Sequence, residues 1–258
     1  MKIPKNAEYL NLESTDKLVS QCKTHLQQNG NSRITIDNKV LTVSVNKNDI
    51  DASTKSRDRR RNEISCKMLE LDNGEKGVWG GEFKLNQHVK TVNVWYHILQ
   101  VKYNDNLKSF KDCDRSVPPF TFSLFNDYLC VRPNLNRGYI PIALVKDIVN
   151  TWIPFKIELD NSKNGVVKWY TFSTDTGSKF EQTDDKIDDI TLQMKEDIKN
   201  KKVTKLYKCG TFVCKDLGTV DVKNGGGIYF KCGQYMSADY ELHGTSSTSY
   251  RGLWCVKN

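Results

Sequence analysis

Late in the chain, three glycines lead into Ile228-Tyr229-Phe230-Lys231-Cys232-Gly233-Gln234-Tyr235. At the two-residue period of a β-strand, Tyr229, Lys231, Gly233 and Tyr235 share one face, with Phe230 and Cys232 on the other. Such a strand turns an apolar back to a core and a cationic, phenolic front to something anionic. Gly233 has no side chain, which would let a ligand come close to the backbone. Two earlier segments carry complementary chemistry. In Arg59-Arg60-Arg61-Asn62-Glu63-Ile64 the alternation sets Arg59, Arg61 and Glu63 side by side, where guanidinium groups next to a carboxylate suit a planar anion. Across Trp95–Tyr103 it groups Tyr96, Ile98, Gln100 and Lys102, leaving Trp95, His97, Leu99, Val101 and Tyr103 opposite. Gln100 and Lys102 then form a donor pair able to hold an oxyanion. Taken singly, the arginine run also reads as a basic strand edge that discourages pairing, and Gln100 as a residue bonding nearby backbone.

The elements that must position these groups are strands. Ile34, Ile36, Val40, Leu41, Val43 and Val45 around the turn-forming Asp37-Asn38 predict a strand pair. Gly77–Leu85, Phe120–Val131, Tyr139–Val149 and Trp152–Leu159 continue the rhythm, and Asn164-Gly165 turns into a returning strand over Val166–Phe172. A short helix is predicted from Ser14 or Thr15 to about Leu26. A second follows Asp184 or Asp185, carrying Ile187, Ile190, Met194 and Ile198, with Lys199, Lys201 and Lys202 late, where they suit the helix dipole. The expected architecture is all-β: a sandwich of two antiparallel sheets with a concave face and one or two short flanking helices. Residues 31–258 are read as a single domain after an N-terminal extension over 1–30.

A chain of 258 residues, 38% of them hydrophobic, can bury a sizeable core. Its formal charge of +8 favours an anionic partner, whether nucleic acid, anionic membrane or acidic glycan. The positive residues are not interleaved with an aromatic platform or a recognition helix, which argues against nucleic acid. No run of 18 apolar residues exists to span a bilayer, and Met1–Leu10 lacks the apolar region of a signal peptide. The eight cysteines, Cys22, Cys66, Cys113, Cys130, Cys209, Cys214, Cys232 and Cys255, are scattered and form no CxxC pair. Neither a metal nor a cofactor is expected. Their even number favours some disulfides in an exported protein over buried thiols. The expectation is a secreted or extracellular monomer, with a cytosolic protein as the alternative.

Three of these segments, in this order, resemble the signature of the alginate-lyase-type polysaccharide lyases, a β-jelly-roll superfamily. Arg61-Asn62-Glu63-Ile64 is similar to its first motif, an arginine, a small residue, a glutamate and an aliphatic residue. Leu99-Gln100-Val101-Lys102 is similar to its second, in which a histidine follows the glutamine two positions on. Tyr229–Tyr235 is similar to its third, tyrosine, phenylalanine, lysine, alanine, glycine, any residue, tyrosine. The glucuronan-lyase branch gives the nearest impression. One departure matters: Lys102 stands where the alginate enzymes have the histidine.

The resemblance implies a β-jelly-roll sandwich that cleaves a 4-linked polyuronide by β-elimination, with glucuronan or a mannuronate-rich glycan favoured. It assigns Arg61 and Gln100 to neutralising the uronate carboxylate and Tyr235 to acid and base work, with Lys231, Lys102, Asn62, Tyr229 and Tyr96 around the substrate. A phenol with an ordinary pKa of about 10 needs neighbouring cations for this, and Lys231 and Arg61 are at hand. Trp79 could stack on a sugar as well, although core packing is the simpler reading of any single aromatic. When proton and leaving oxygen depart from the same side, as in D-glucuronate or D-mannuronate, one tyrosine can serve both. Departure from opposite sides needs a second group, and strand parity turns His97 away while His88 lies in a turn-like region; His25 and His243 have no site argument. The alternative is a non-catalytic module binding an acidic polysaccharide on the same fold, or a sandwich whose catalytic face has decayed.

Overall fold

A computed structural model describes residues 2–22, 25–27, 33–51, 54–87, 94–103, 118–133, 138–162, 164–172, 178–181, 187–215, 227–239 and 244–258. In chain order its elements are β1 (Glu8–Tyr9), α1 (Thr15–Cys22), β2 (His25–Gln27), β3 (Ile34–Asp37), β4 (Val40–Asn46), β5 (Arg59–Leu71), β6 (Lys76–Leu85), β7 (Tyr96–Tyr103), β8 (Phe120–Phe125), β9 (Tyr128–Pro133), β10 (Ile140–Leu144), α2 (Val145–Ile148), β11 (Ile153–Asp160), β12 (Asn164–Thr171), β13 (Ser178–Glu181), α3 (Ile187–Lys199), β14 (Tyr207–Lys215), β15 (Ile228–Ser237) and β16 (Thr245–Lys257).

The strands form two sheets. One has nine strands in the order β13-β14-β12-β11-β6-β16-β4-β3, with β1 added against β16; the other has seven, β10-β9-β8-β7-β15-β5-β2. Neighbours are antiparallel except β13 and β14. Period-two burial explains the layering. Along β11, Ile153, Phe155, Ile157 and Leu159 are buried while Pro154, Lys156, Glu158 and Asp160 are only partly so. The inner faces meet in one large cluster in which Phe83, Phe122 and Phe155 touch ring to ring and Trp79 stacks on Phe230 at 6.1 Å. Each such buried side chain stabilises the sandwich by roughly 1.5–3 kcal/mol.

Turn chemistry sets the hairpins. Asn38 and Lys39 have φ of 48° and 60°, the left-handed pair that a two-residue turn between β3 and β4 requires. The same device at Asn126 and Asp127, φ 44° and 67°, divides the stretch Phe120–Val131 into a hairpin instead of one strand. An Asn-Asp pair tolerates positive φ without glycine, which is why its signal was weak. Helix α1 begins where expected, its Lys17 amide donating to Ser14 Oγ at 3.2 Å, and α3 buries Ile198 while Ile190 and Leu192 stay exposed. The capping residues Asp184 and Asp185 lie outside the described residues.

The expected disulfides are not found among the described side chains. Cys66, Cys130, Cys232 and Cys255 are buried thiols, and Cys209 is a half-buried one. Cys66, Cys232 and Cys255 occupy core-facing strand positions, where a thiol packs as a small apolar group. Burial raises the Cys130 and Cys232 thiols well above their usual range and pushes Cys255 up to about 12, so they stay protonated. No described helix is long and apolar enough to cross a membrane.

Candidate active site

The outer face of the seven-stranded sheet gathers the three segments. On β5 and β15, Arg61 lies opposite Tyr235, Glu63 opposite Gly233, and Ser65 opposite Lys231. On β15 and β7, Lys231 lies opposite Gln100 and Tyr229 opposite Lys102. Glu63, only 2% exposed, organises the centre. Its carboxylate accepts hydrogen bonds from Lys231 Nζ at 3.0 Å and from Gln100 Nε2, and lies 3.6 Å from Arg61 Nε. Arg61 is also 3.5 Å from buried Asp51. Burying charges is costly unless they are paired and bonded; Lys231 is both, and Arg61 is paired with two carboxylates at ion-pair distance. The cluster thereby holds two cations and an amide rigidly in a water-poor place.

Tyr235 is held by two arginines. The Arg61 guanidinium lies 3.8 Å over the centre of its ring, and Arg59 Nη1 donates to Tyr235 Oη at 2.9 Å. Arg59 also binds exposed Asp58 through Nε and Nη2, at 2.8 and 2.7 Å. Its hydrogen bonds to Asp58 and then to Tyr235 hold Arg59 above its usual value.

A β-bulge completes the face and overturns the parity reading of β7. Against β8 the pairing slips between His97 and Leu99, so Ile98 and Leu99 both turn into the core. His97 therefore shares the outer face with Gln100. The irregularity continues into β15 between Cys232 and Tyr235. Tyr250, fully buried on β16, bridges it: its hydroxyl meets the carbonyls of Ile98 and Gly233 and takes the Gly233 amide at 3.1 Å. Gly233 has φ of 146°, and a Cβ there would collide with the Asn62 carbonyl and the Glu63 Cα. Strand β5 fills the space that a side chain at this position would take.

His97 now stands beside the phenol. It pairs with Tyr235 in register, their ring centres are 6.0 Å apart, and Trp95 stacks on the imidazole at 5.2 Å while meeting Tyr235 edge-on at 4.7 Å. His97 Nδ1 bonds Ser123 Oγ at 2.7 Å, and Ser123 bonds Thr121 at 2.7 Å. At 4% exposure, burial lowers its pKa to about 3, with Arg132 and Arg61 adding repulsion, so the ring is neutral.

Arg61, Gln100, Lys231 and Tyr235 are thus brought together. Lys102 is half-buried further along β7, with Tyr229 buried opposite it. Asn62 and Tyr96 are not at the site. Asn62 turns inward and donates to Ser44 O and Asp49 Oδ2 at 2.9 and 3.0 Å, tying β5 to the strand and turn across the sandwich. The bulge carries Tyr96 into the core, where its hydroxyl meets Ser246 at 2.7 Å. Gln100 gives an N–H to Glu63, and its Oε1 has no hydrogen-bond partner among the described residues, so it is not simply a donor beside Lys102. His88 and His243 lie outside the described residues, as does the side chain of His25. Sequence reading set Arg59 and Glu63 beside Arg61 by shared parity without giving either a role of its own, and it missed Trp95 and turned His97 away.

No protein-family model and no curated protein sequence matches the chain. Solved structures do. The alginate lyase AlgAT5 of polysaccharide lyase family 7 superposes with a TM-score of 0.52 at 10% identity, over 95% of this chain and 88% of its own. The marine family 7 alginate lyase AlyA1 from Zobellia galactanivorans gives 0.51 at 9%, over 98% and 94%. The endo-β-1,4-glucuronan lyase from the fungus Trichoderma reesei gives 0.50 at 12%, over 97% and 91%. With its two packed sheets and its polar cluster on the seven-stranded one, the chain carries the β-jelly-roll fold of the alginate-lyase-type polysaccharide lyases.

Proposed function

We propose that the protein is a polysaccharide lyase that cleaves a 4-linked polyuronide by β-elimination, acting on glucuronan or a mannuronate-rich glycan. The observation that carries this reading is Tyr235, whose oxygen takes a hydrogen bond from Arg59 while Arg61 covers its ring. Both cations stabilise negative charge developing on Oη as a proton moves. Arg61, Lys231 and Gln100 receive the uronate carboxylate and offset the charge that builds there when C5 loses its proton. Acting as a phenolate, Tyr235 Oη takes that proton and becomes the phenol, the C4=C5 bond forms as the C4–O bond breaks, and the phenol returns the proton to the departing oxygen, restoring the phenolate. Neutral His97, buried under Trp95 with its basicity lowered, is a poor base, so it orients Tyr235 and does not replace it. One phenol serving both transfers fits same-side elimination, hence D-glucuronate or D-mannuronate. The likeness of fold to alginate and glucuronan lyases supports the same reading.

The test is an ultraviolet time course of the purified protein on glucuronan, polymannuronate, polyguluronate and a heparan-type glycan, reading the unsaturated uronate that elimination produces. Absorbance rising on glucuronan or polymannuronate is the expected result. Binding to a member of the panel without any such rise would replace the lyase with the acidic-glycan-binding module.

A further inference from the structure

His97 stands beside the reacting phenol yet keeps almost no surface of its own, at 4% exposure. Trp95, the residue just before β7, stacks its indole on the imidazole at 5.2 Å with 25° between the planes, and the same indole meets Tyr235 at 4.7 Å. With His97 and Tyr235 6.0 Å apart, the three rings close a triangle in which the indole lies against both of the others. The backbone holds it there: the Trp95 carbonyl accepts the Ser237 amide at 3.3 Å, two residues past Tyr235 on β15. Trp95 is half-buried, as Tyr235 is, so the indole stands between the imidazole and the solvent from which a polymer arrives. It fills about the space of a sugar ring. On the other side Ser123 of β8 holds His97 Nδ1, braced in turn by Thr121. The tautomer that gives Nδ1–H to Ser123 leaves a lone pair on Nε2. Burial first, then Arg132 of β9 and Arg61 of β5, keep the ring unprotonated.

We infer that Trp95 is a specificity-determining residue: by filling the place that borders both imidazole and phenol, it withholds His97 from the substrate and confines the enzyme to same-side elimination. This rests on the lyase reading above. Elimination from opposite sides needs two proton-transfer groups, and Trp95 leaves the substrate only one. With the indole removed, neutral His97 Nε2 takes the C5 proton, the electron pair of that C–H bond becomes the C4=C5 bond as the C4–O bond breaks, and Tyr235, starting as the phenol, gives its proton to the departing oxygen. The imidazolium then loses its proton to water and the phenolate regains one from water.

Two measurements on Trp95→Ala, Trp95→Phe and Trp95→Ala/His97→Gln test it. The first needs no substrate: proton NMR follows the His97 ring against pH, its signal assigned by its loss in His97→Gln. Its midpoint should climb from about 3 toward the ordinary 6.5 in Trp95→Ala and stay low in Trp95→Phe, where a ring still covers it. The second is the rate of unsaturated-uronate formation on polyguluronate relative to polymannuronate. That ratio should rise about 10²-fold in Trp95→Ala, the lower end of what a positioned base contributes, hold its wild-type value in Trp95→Phe, and fall back in Trp95→Ala/His97→Gln. Circular dichroism checks folding, and Trp95→Leu carries the comparison should Trp95→Ala unfold. An unmoved His97 midpoint, an unmoved ratio, loss of all product in Trp95→Ala, or a raised ratio that survives His97→Gln overturns the inference and leaves the lyase standing, provided the wild type forms unsaturated product. A wild type that forms none on any polymer removes the lyase and the inference with it.

Discussion

The molecule contains the same local pattern twice, once on each sheet. On β5 and β15, Arg61 and Glu63 alternate with Tyr235 opposite the arginine; on β11 and β12, Lys156 and Glu158 alternate with Tyr170 opposite the lysine. Both cations pair with their carboxylate, at 3.6 and 2.7 Å, and both cover the facing ring, at 3.8 and 4.2 Å. Their surroundings differ. The Glu158 side chain is 33% exposed and that of Glu63 2%. Glu63 also collects Lys231 and Gln100, and Tyr235 collects Arg59. Tyr170 is held above its usual value, by burial first and then by Glu158. A cation, a carboxylate and a phenol make a surface ornament in water, where such pairs contribute about 0–1 kcal/mol. Desolvated and cross-linked, the same three groups can stabilise a charge that appears only during reaction.

Exchanging the phenols breaks this comparison most sharply. Tyr235→Phe should lower turnover of the polyuronide by about 10²–10⁴-fold, the range of a positioned acid or base, while Tyr170→Phe should leave it as it was. Initial rates of unsaturated-uronate formation decide this, and equal effects at the two tyrosines would sink the assignment. The carboxylates come next. Glu63→Gln strips compensation from buried Lys231 and Arg61 and should destabilise the fold by about 3 kcal/mol or more. Glu158→Gln should stay within about 0.5 kcal/mol. Urea unfolding of the two variants reads the contrast, and matching midpoints would mean that Glu63 is not the keystone described above.

The last contrast concerns pH. His97 in the folded protein sits at about 3, below its ordinary 6.5, so the unfolded chain takes up the proton first. Its contribution to stability is complete above about pH 6.5 and is lost as pH falls toward 3, with a slope of up to about 1.4 kcal/mol per unit. Denaturant midpoints between pH 7 and 4 should fall less steeply in His97→Gln than in the wild type. No counterpart is expected around Tyr170, beside which no histidine stands among the described residues.

Much of this protein was legible before folding. Alternation of apolar residues located the long described strands, because a strand with one wet face must write that period into its sequence; the short β1 and β13 were missed, and His25–Gln27, read as the end of a helix, is strand β2. The shared parity of Arg61 with Glu63, and of Lys231 with Tyr235, held because β5 and β15 run through those positions with their alternation intact. Parity failed on β7, where one extra residue at Ile98 exchanged Tyr96 for His97; the hydroxyl that bridges this bulge comes from Tyr250, more than 150 residues away. Nor could spacing distinguish Arg61-x-Glu63 from Lys156-x-Glu158, since both are a cation and an acid two residues apart. Strand pattern and residue chemistry were thus determined by the sequence itself, because they depend on near neighbours. Which pattern became a site was decided only by tertiary structure, because desolvation depends on what the rest of the chain lays over and beside it.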